Sequence, residues 1–203
     1  LDPDSLQLGG RRAEITVLFA DIRGFTSFSE GLSPERLVSV LNRYLAAAAD
    51  AVLHEEGTID KFMGDAIMAW FNAPIPQPDH TLRAVRTALA IREAVEDLHR
   101  DLPEDSRLAV GIGIHCGDAV LGLIGTDRRM EYTAISDSIN TAKRLQENSA
   151  PNQIILSSDA YEAVRGKAAV KALEPIRVKG KRHPLEVFEL TGLKRDHSER
   201  AER

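Results

Sequence analysis

Ile15–Ala20 reads ITVLFA, a short apolar run rich in β-branched residues that ends at Asp21. A run of this length with a polar boundary predicts a buried β-strand. Further along, Thr58–Phe62 and Ala66–Phe71 are apolar segments on either side of a turn centred on Gly64-Asp65. They predict a β-hairpin with its tip at that turn. The expected sheet therefore displays two carboxylates, Asp21 and Asp65, at the ends of strands.

Helices with recognisable start signals follow these strands. Ser33 as N-cap, Pro34 in the first turn and Glu35 beside it predict a helix that Gly57 stops. We expect further elements as follows: a helix capped by Asp79, strands over Leu108–His115, Ala119–Ile124 and Glu131–Ile135, a helix over Ser136–Asn148, and short elements at Ile154–Leu156, Asp159–Val164, Val170–Val178 and Leu185–Leu190. Cys116-Gly117-Asp118 is read as the turn that joins the first two of those strands. Hairpins mixed with helices predict an α+β fold, and a ferredoxin-like βαββαβ core with extra C-terminal strands fits the order.

The 203 residues suit one domain over 1–203, with a core from about 12 to 192, a lead-in over 1–11 and a polar tail over 193–203. No apolar run reaches the ~20 residues that a membrane helix needs. The 26 Lys and Arg against 31 Asp and Glu argue against a general nucleic-acid-binding protein, which usually carries a basic excess. Cys116 is the single cysteine, which excludes an intrachain disulfide and a cysteine-based zinc site and favours a reducing compartment.

Asp21 is the first candidate site residue. Gly24 lets the backbone approach a ligand closely, and free amides of a short helix starting near Phe25 and Thr26 could bind phosphate. Asp65 could share a divalent ion pair with Asp21, because hard oxygen ligands suit Mg²⁺ or Mn²⁺. The plainer alternatives are that Asp21 caps a helix and that Asp65 forms a turn.

Asn140 and Arg144 form a second candidate pair. They lie four residues apart on one predicted helix face, where an amide and a guanidinium could orient a hydroxyl and neutralise a phosphoryl group. A solvated polar helix face is the alternative. His115 and Cys116 could form a metal or nucleophile pair, but their place at a strand end favours packing, and Lys181-Arg182-His183 is read as a solvated turn.

Four strings occur in order: VLFADIRGFT (17–26), DKFMGDAIMAWF (60–71), EYTAISDSINTAKRL (131–145) and VKGK (178–181). Together they resemble the class III nucleotidyl cyclase catalytic domain, over roughly residues 12–192. The resemblance implies that two Mg²⁺ or Mn²⁺ ions bind Asp21, Asp65 and the Ile22 carbonyl, and that Gly24, Phe25 and Thr26 belong to the phosphate loop. It also implies roles for Asn140 at the ribose, Arg144 at the α-phosphate, Lys179 at the terminal phosphates, and Lys61 and Thr133 at the base.

The base-reading positions favour adenine. A Lys donates a hydrogen bond and a Thr hydroxyl accepts one, which matches adenine N1 and N6, whereas guanylate cyclases of the family have Glu and Cys there. The implied reaction converts ATP to 3′,5′-cyclic AMP and pyrophosphate. The alternatives are a guanylate cyclase, an inactive nucleotide-binding regulatory domain and a polymerase-like palm. Ser136 and Lys143 depart from the usual pattern, but neither removes a needed functional group.

The resemblance also implies an assembly. Each site is expected across a head-to-tail homodimer, with Asp21 and Asp65 from one chain and the base, ribose and phosphate residues from the other. Thr133 places the chain with a subgroup that includes bicarbonate-responsive enzymes, and the catalytic domain is expected on the cytoplasmic side.

Overall fold

The computed structural model describes residues 9–25, 28 and 30–195. Its strands are β1 (Gly9–Arg23), β2 (Thr58–Met63), β3 (Ala66–Phe71), β4 (Ala109–Thr126), β5 (Arg129–Ile135), β6 (Ile154–Ser157), β7 (Ala168–Ala172) and β8 (Val187–Leu193). Its α-helices in this part of the chain are α1 (Pro34–His54), α2 (His80–Asp101), α3 (Asp137–Glu147) and α4 (Ser158–Val164), and Glu104–Ser106 forms a 3₁₀ turn. None of these helices has the length and apolar character needed to cross a membrane.

The strands form one sheet in the order β2-β3-β1-β4-β6-β8-β7, and β5 pairs with β4 outside that path. β1 pairs antiparallel with both β3 and β4, and β2 pairs antiparallel with β3. This is the strand order of a ferredoxin-like βαββαβ core, so the predicted fold class is confirmed. The additional strands begin with β6, which runs parallel to β4.

Strand β1 is buried on both faces of the sheet. Leu18, Ala20 and Ile22 pack in the larger core with α1 and α2, whereas Val17 and Phe19 belong to a second core around Trp70. Alternate residues of a strand point to opposite faces, so covering both faces requires the nearly continuous apolar run that the sequence shows.

Helix α1 begins as predicted, but the residue that ends it is not the predicted one. The Ser33 hydroxyl accepts a hydrogen bond from the Arg36 amide at 3.4 Å, and Pro34 occupies the first turn. Glu56, not Gly57, adopts the left-handed conformation that ends the helix, with φ of +57°. Gly57 is needed instead for close packing, because a Cβ there would lie 2.6 Å from the Phe71 ring.

The predicted turn at Cys116-Gly117-Asp118 is wrong. These residues continue β4, and Gly117 pairs with Ile15 of β1 in an unbroken antiparallel register. Gly117 serves packing instead, because a Cβ at this position would collide with the Ser138 hydroxyl of α3. A glycine that admits a neighbouring helix and a glycine that makes a turn look alike in sequence.

Three smaller predictions also differ from the structure. Asp79 precedes α2, but its carboxylate pairs with Arg83 at 2.7 Å and makes no capping hydrogen bond. β1 starts at Gly9, inside the predicted lead-in. The strand expected over 170–178 ends at Ala172 as part of β7, and the rest of that range makes one isolated bridge, between Ile176 and Leu185.

Helix α3 lies unusually close to β4, because glycines line their contact. A Cβ on Gly113 would lie 2.5 Å from the carbonyl oxygen of Ala142, and Gly117 faces Ser138 in the same way. Ser136 caps the helix by accepting a hydrogen bond from the Ser138 amide at 2.9 Å. The position of α3 on the sheet is therefore fixed at both the backbone contact and the N-terminus.

The contact at Gly113 gives a direct test. Gly113→Ala should destabilise the protein by about 1–3 kcal/mol, because the added methyl group meets helix backbone that cannot rotate away. For a chain of this size that lowers Tm by ~2–4 °C per kcal/mol. Thermal unfolding followed by circular dichroism measures the change. Gly192→Ala in β8 is the matched control, since a Cβ there meets nothing within 4 Å; equal Tm values for the two variants would contradict the packing argument.

Candidate functional site

The end of β1 and the β2–β3 hairpin bring Asp21 and Asp65 together. Asp21 pairs in register with Ala66, and the Ile22 amide donates a hydrogen bond to the Asp65 carbonyl at 3.1 Å. Gly64 has φ of +62°, a turn conformation that side-chain-bearing residues rarely adopt. The predicted pair of carboxylates at strand ends is therefore present, with the Ile22 backbone between them.

The Asp21 side chain is only 24% exposed, and its Oδ1 atom is buried without a hydrogen-bond partner. Burial raises the pKa of Asp21 above its ordinary value, Arg23 opposes that rise, and the charge of Asp65 adds to it. A buried carboxylate oxygen without a donor is costly, and a cation would satisfy it. The site residues therefore fit a hard divalent ion.

The number of protein ligands also fits such an ion. The described part of the chain contains no cluster of three or more His, Cys, Asp or Glu side chains that could hold a metal. Mg²⁺ is usually bound through one or two carboxylates and keeps several waters, so it does not require such a cluster.

The segment after Asp21 forms a tight turn. Gly24 has φ of +76°, and its carbonyl accepts a hydrogen bond from the Phe28 amide at 3.1 Å. Phe25 lies at the start of this helical turn and packs against the main core. Thr26, the third residue predicted for the phosphate loop, lies outside the described residues.

Asn140, Arg144 and Lys179 line a second, open cavity of about 420 Å³. Neither Asp21 nor Asp65 lines it. Lys143, whose position the sequence left open, lines it too. The structure thus places the predicted carboxylates in one group and Asn140, Arg144 and Lys179 in a separate cationic cavity, and the predicted base-reading residues lie in neither.

Two ion pairs at the cavity were not predicted from sequence. Arg144 binds Glu147 at 2.7 Å, one turn along the same helix. Lys181 binds Asp137 at 2.5 Å in an exposed ion pair, and Lys181, Arg182 and His183 are all exposed, as the predicted solvated turn requires. The i, i+3 spacing could have revealed the first pair, whereas nothing local marks the second, whose members are far apart in sequence.

Lys61 and Thr133, the predicted base-reading residues, lie on β2 and β5. Lys61 is exposed, and its Nζ is 3.4 Å from a carboxylate oxygen of Asp60. Thr133 is half-buried and pairs with Gly122 of β4. Beside it, the Tyr132 ring lies 6.2 Å from the Trp70 ring of β3, so the β4–β5 hairpin curls back over the sheet.

His115 and Cys116 have structural surroundings, as the sequence indicated. The Cys116 thiol is buried in the main core, and burial raises its pKa to about 11. His115 is linked to the Ser157 hydroxyl at 2.7 Å through Nδ1, and burial lowers its pKa. The pair does not join either functional group.

A ferredoxin-like sheet with paired carboxylates, and a separate cavity of about 420 Å³ lined by lysine and arginine side chains, suits proteins that bind phosphate-bearing ligands. The sequence model of the family described as "Adenylate and Guanylate cyclase catalytic domain" matches residues 10–192. The chain belongs to this family, which confirms the resemblance drawn from the four strings.

Relatives and solved structures agree with that assignment. The chain is 36% identical to adenylate cyclase 1 of Rhizobium meliloti strain 1021, covering 95% of this chain and 30% of that protein. It is similar to the crystal structure of the adenylyl cyclase CyaB from P. aeruginosa, with TM-score 0.87, 33% identity and coverage of 93% and 99% of the two chains. The guanylyl cyclase Cya2 matches with TM-score 0.83, 38% identity and coverage of 94% and 98%. The chain thus spans about a third of the length of the first of these relatives.

The burial of Cys116 predicts that its thiol reacts slowly in the folded protein. With a pKa near 11 instead of 9, the thiolate fraction near pH 8 falls roughly 100-fold. We expect a disulfide reagent to label the folded protein at least that much more slowly than the urea-unfolded protein, as followed by absorbance. Equal labelling rates would show that Cys116 is accessible and ionised in the folded state.

Proposed function

We propose that this domain is an adenylate cyclase that converts ATP to 3′,5′-cyclic AMP and pyrophosphate. The observation that carries the proposal is that one chain holds both groups intact: the orphaned carboxylate oxygen of Asp21 beside Asp65, and the cavity with Asn140, Arg144 and Lys179. An inactive regulatory domain would be expected to lack one of these residues.

The carboxylates and the Ile22 carbonyl would hold the divalent ions. Bound there, such ions lower the pKa of a coordinated hydroxyl and neutralise phosphate charge. The chain's own residues position the substrate: Asn140 orients the ribose so that its 3′-hydroxyl faces the α-phosphorus, and Lys179 holds the terminal phosphates. Gly24 and Phe25 bring backbone amides to the phosphates.

Arg144 meets the charge that grows on the α-phosphoryl group. Its guanidinium is already held at the cavity by Glu147, so little conformational freedom is lost when it engages the substrate. In-line attack of the 3′-hydroxyl needs no protein nucleophile, and positioning with electrostatic stabilisation supplies the acceleration.

The base preference depends on Lys61 and Thr133. Overall identity does not decide it, because an adenylyl cyclase and a guanylyl cyclase match the chain almost equally well. The Lys61 ammonium donates to adenine N1 and the Thr133 hydroxyl accepts from adenine N6, whereas guanine reverses both atoms. When a bound base covers these two groups, a mismatched base leaves them unpaired and can be rejected by ~10⁴ or more. A guanylate cyclase is the remaining candidate.

The separation of the two groups supports a homodimer with two shared sites. The cationic cavity of one chain lacks the carboxylates, so a complete site would form when a second chain supplies them. Large apolar side chains remain exposed on the β4–β5 hairpin and on β2: Phe62, Val120, Ile124, Met130, Tyr132 and Ile135. Such a patch is typical of an interface. A cytoplasmic location is part of the proposal, since the single cysteine is buried and unpaired.

Incubation with ATP and Mn²⁺, followed by chromatography for cyclic AMP, tests the proposal. We expect cyclic AMP and pyrophosphate in equal amounts, little cyclic GMP from GTP, and no product in excess chelator. Asp21→Ala and Asp65→Ala should each abolish turnover. Turnover in chelator would refute the metal requirement, and a preference for GTP would refute the reading of Lys61 and Thr133.

Arg144→Ala should lower kcat by ~10²–10³ with little change in KM for ATP, because the lost donor acts on transition-state charge. Arg165→Ala is a matched control, since Arg165 pairs with Glu162 at the same i, i+3 spacing away from the cavity. We expect the control to retain wild-type kcat. A kcat for Arg144→Ala within about threefold of wild type would remove it from the mechanism, since that is under ~1 kcal/mol.

The proposal includes stimulation by bicarbonate, because the subgroup with Thr at the position of Thr133 includes bicarbonate-responsive enzymes. Rates at fixed pH and ionic strength with added bicarbonate should exceed rates with added chloride. Thr133→Ser keeps the hydroxyl and serves as a control for general effects on the site. Equal rates in the two salts would rule out the stimulation.

A further inference from the structure

Arg23 lies between the metal-binding end of β1 and the C-terminal end of α3. Its Nη2 atom donates hydrogen bonds to the Gln146 carbonyl and to the Ser149 hydroxyl, the latter at 2.7 Å. Its Nε atom is 3.5 Å from Oδ1 of Asp21. One guanidinium therefore touches a proposed metal ligand and the end of the helix that carries Asn140 and Arg144.

The sheet is shaped to admit this guanidinium. Gly111 of β4 pairs with Asp21, and a Cβ on Gly111 would lie 2.5 Å from Nε and 2.6 Å from Nη2 of Arg23. The Ser149 hydroxyl donates to the Gln146 carbonyl at 2.6 Å, which holds the acceptors in place. Any residue larger than glycine at position 111 would displace the arginine.

The contact with Asp21 leaves the carboxylate available. Neither Oδ1 of Asp21 nor Nε of Arg23 has a hydrogen-bond partner, so they face each other as charges and not as a formed hydrogen bond. The guanidinium restrains the carboxylate, while its directional hydrogen bonds go to the end of α3. The contact with Asp21 is thus a charge interaction, whereas the hydrogen bonds of the guanidinium hold the end of α3.

We propose that Arg23 is a positioning residue that ties helix α3 to the metal-binding carboxylate Asp21. The proposal rests on the proposed cyclase function. In the proposed dimer, Asp21 and α3 of one chain serve different sites, so each Arg23 connects the two sites of the dimer. A lysine could not replace it, because an ammonium lacks the planar fork that reaches Asp21, Gln146 and Ser149 together.

Arg23→Gln removes the positive charge and the guanidinium, whereas Arg23→Lys keeps the charge and removes only the planar fork of donors. Arg92→Gln is the matched control, because the Arg92 guanidinium also makes two hydrogen bonds, to the carbonyls of Leu190 and Thr191, but lies away from the site. Hydrogen exchange measured by mass spectrometry reports on the tie without needing activity. We expect Arg23→Gln to speed exchange at least threefold in residues 145–150, and Arg92→Gln to leave that segment unchanged.

If Arg23 positions α3, its removal should lower kcat without lowering the affinity for Mn²⁺. Mn²⁺ binding is measured by electron paramagnetic resonance with 3′-deoxy-ATP, which lacks the attacking hydroxyl. Arg23→Gln should bind Mn²⁺ at least as tightly as wild type, since a cation beside the carboxylates is gone, while kcat falls tenfold or more at unchanged KM. Arg23→Lys should keep wild-type Mn²⁺ affinity with a reduced kcat.

Wild-type kcat in Arg23→Gln, unchanged exchange in 145–150, or Mn²⁺ affinity that falls in step with kcat would each overturn the inference. The last result would mean that Arg23 supports the fold of the carboxylate site and nothing more. If the wild-type domain forms no cyclic nucleotide, the proposed function fails instead, and the exchange experiment still decides whether Arg23 ties the two elements.

Discussion

The backbone-to-backbone contact between α3 and β4 is the constraint on which the site depends. Gly113 lets the backbone of the helix approach the strand, Gly117 makes room for the Ser138 side chain, and Gly111 makes room for Arg23 at one end of the contact. Because β4 pairs with β1 along its length, the same contact fixes α3 relative to Asp21. The helix that bears Asn140 and Arg144 is thus held by the sheet that bears the carboxylates, although the two groups open onto different surfaces.

Partial burial of the Asp21 carboxylate costs free energy, and the fold tolerates that cost. Asp21 is partly buried, and burial raises its pKa although Arg23 and Gln146 lie close enough to oppose the rise. The cavity has the opposite balance, because Lys143 and Lys179 line it together with the ion-paired Arg144 and Lys181, so that cationic side chains outnumber acidic ones. The carboxylate group therefore favours cations, and the cavity favours anions. In the proposed dimer, a metal–nucleotide complex bound between two chains would supply both.

The sequence predicted the parts whose signals are local. The buried run Ile15–Ala20, the Ser33 cap and the hairpin tip at Gly64-Asp65 each depend on a few neighbouring residues, and the structure has all three. The turn predicted at Cys116-Gly117-Asp118 was wrong, because Gly117 instead makes room for Ser138 of a helix that is distant in sequence. The contacts of Arg23 with Gln146 and of Lys181 with Asp137 join distant residues, so no local pattern could reveal them. The motifs identified which residues belong to the candidate site, but only the structure showed that the carboxylates and the cavity residues lie in separate places.

The most direct test of the account is complementation between two inactive variants. Asp21→Ala chains and Arg144→Ala chains are refolded together in equal amounts, and cyclic AMP formation is compared with wild type. If each site takes its carboxylates from one chain and its arginine from the other, about half of the dimers are mixed and each mixed dimer keeps one working site, so roughly a quarter of wild-type activity returns. Activity no higher than that of the separate variants, with mixed dimers shown to be present by mass spectrometry, would contradict the account.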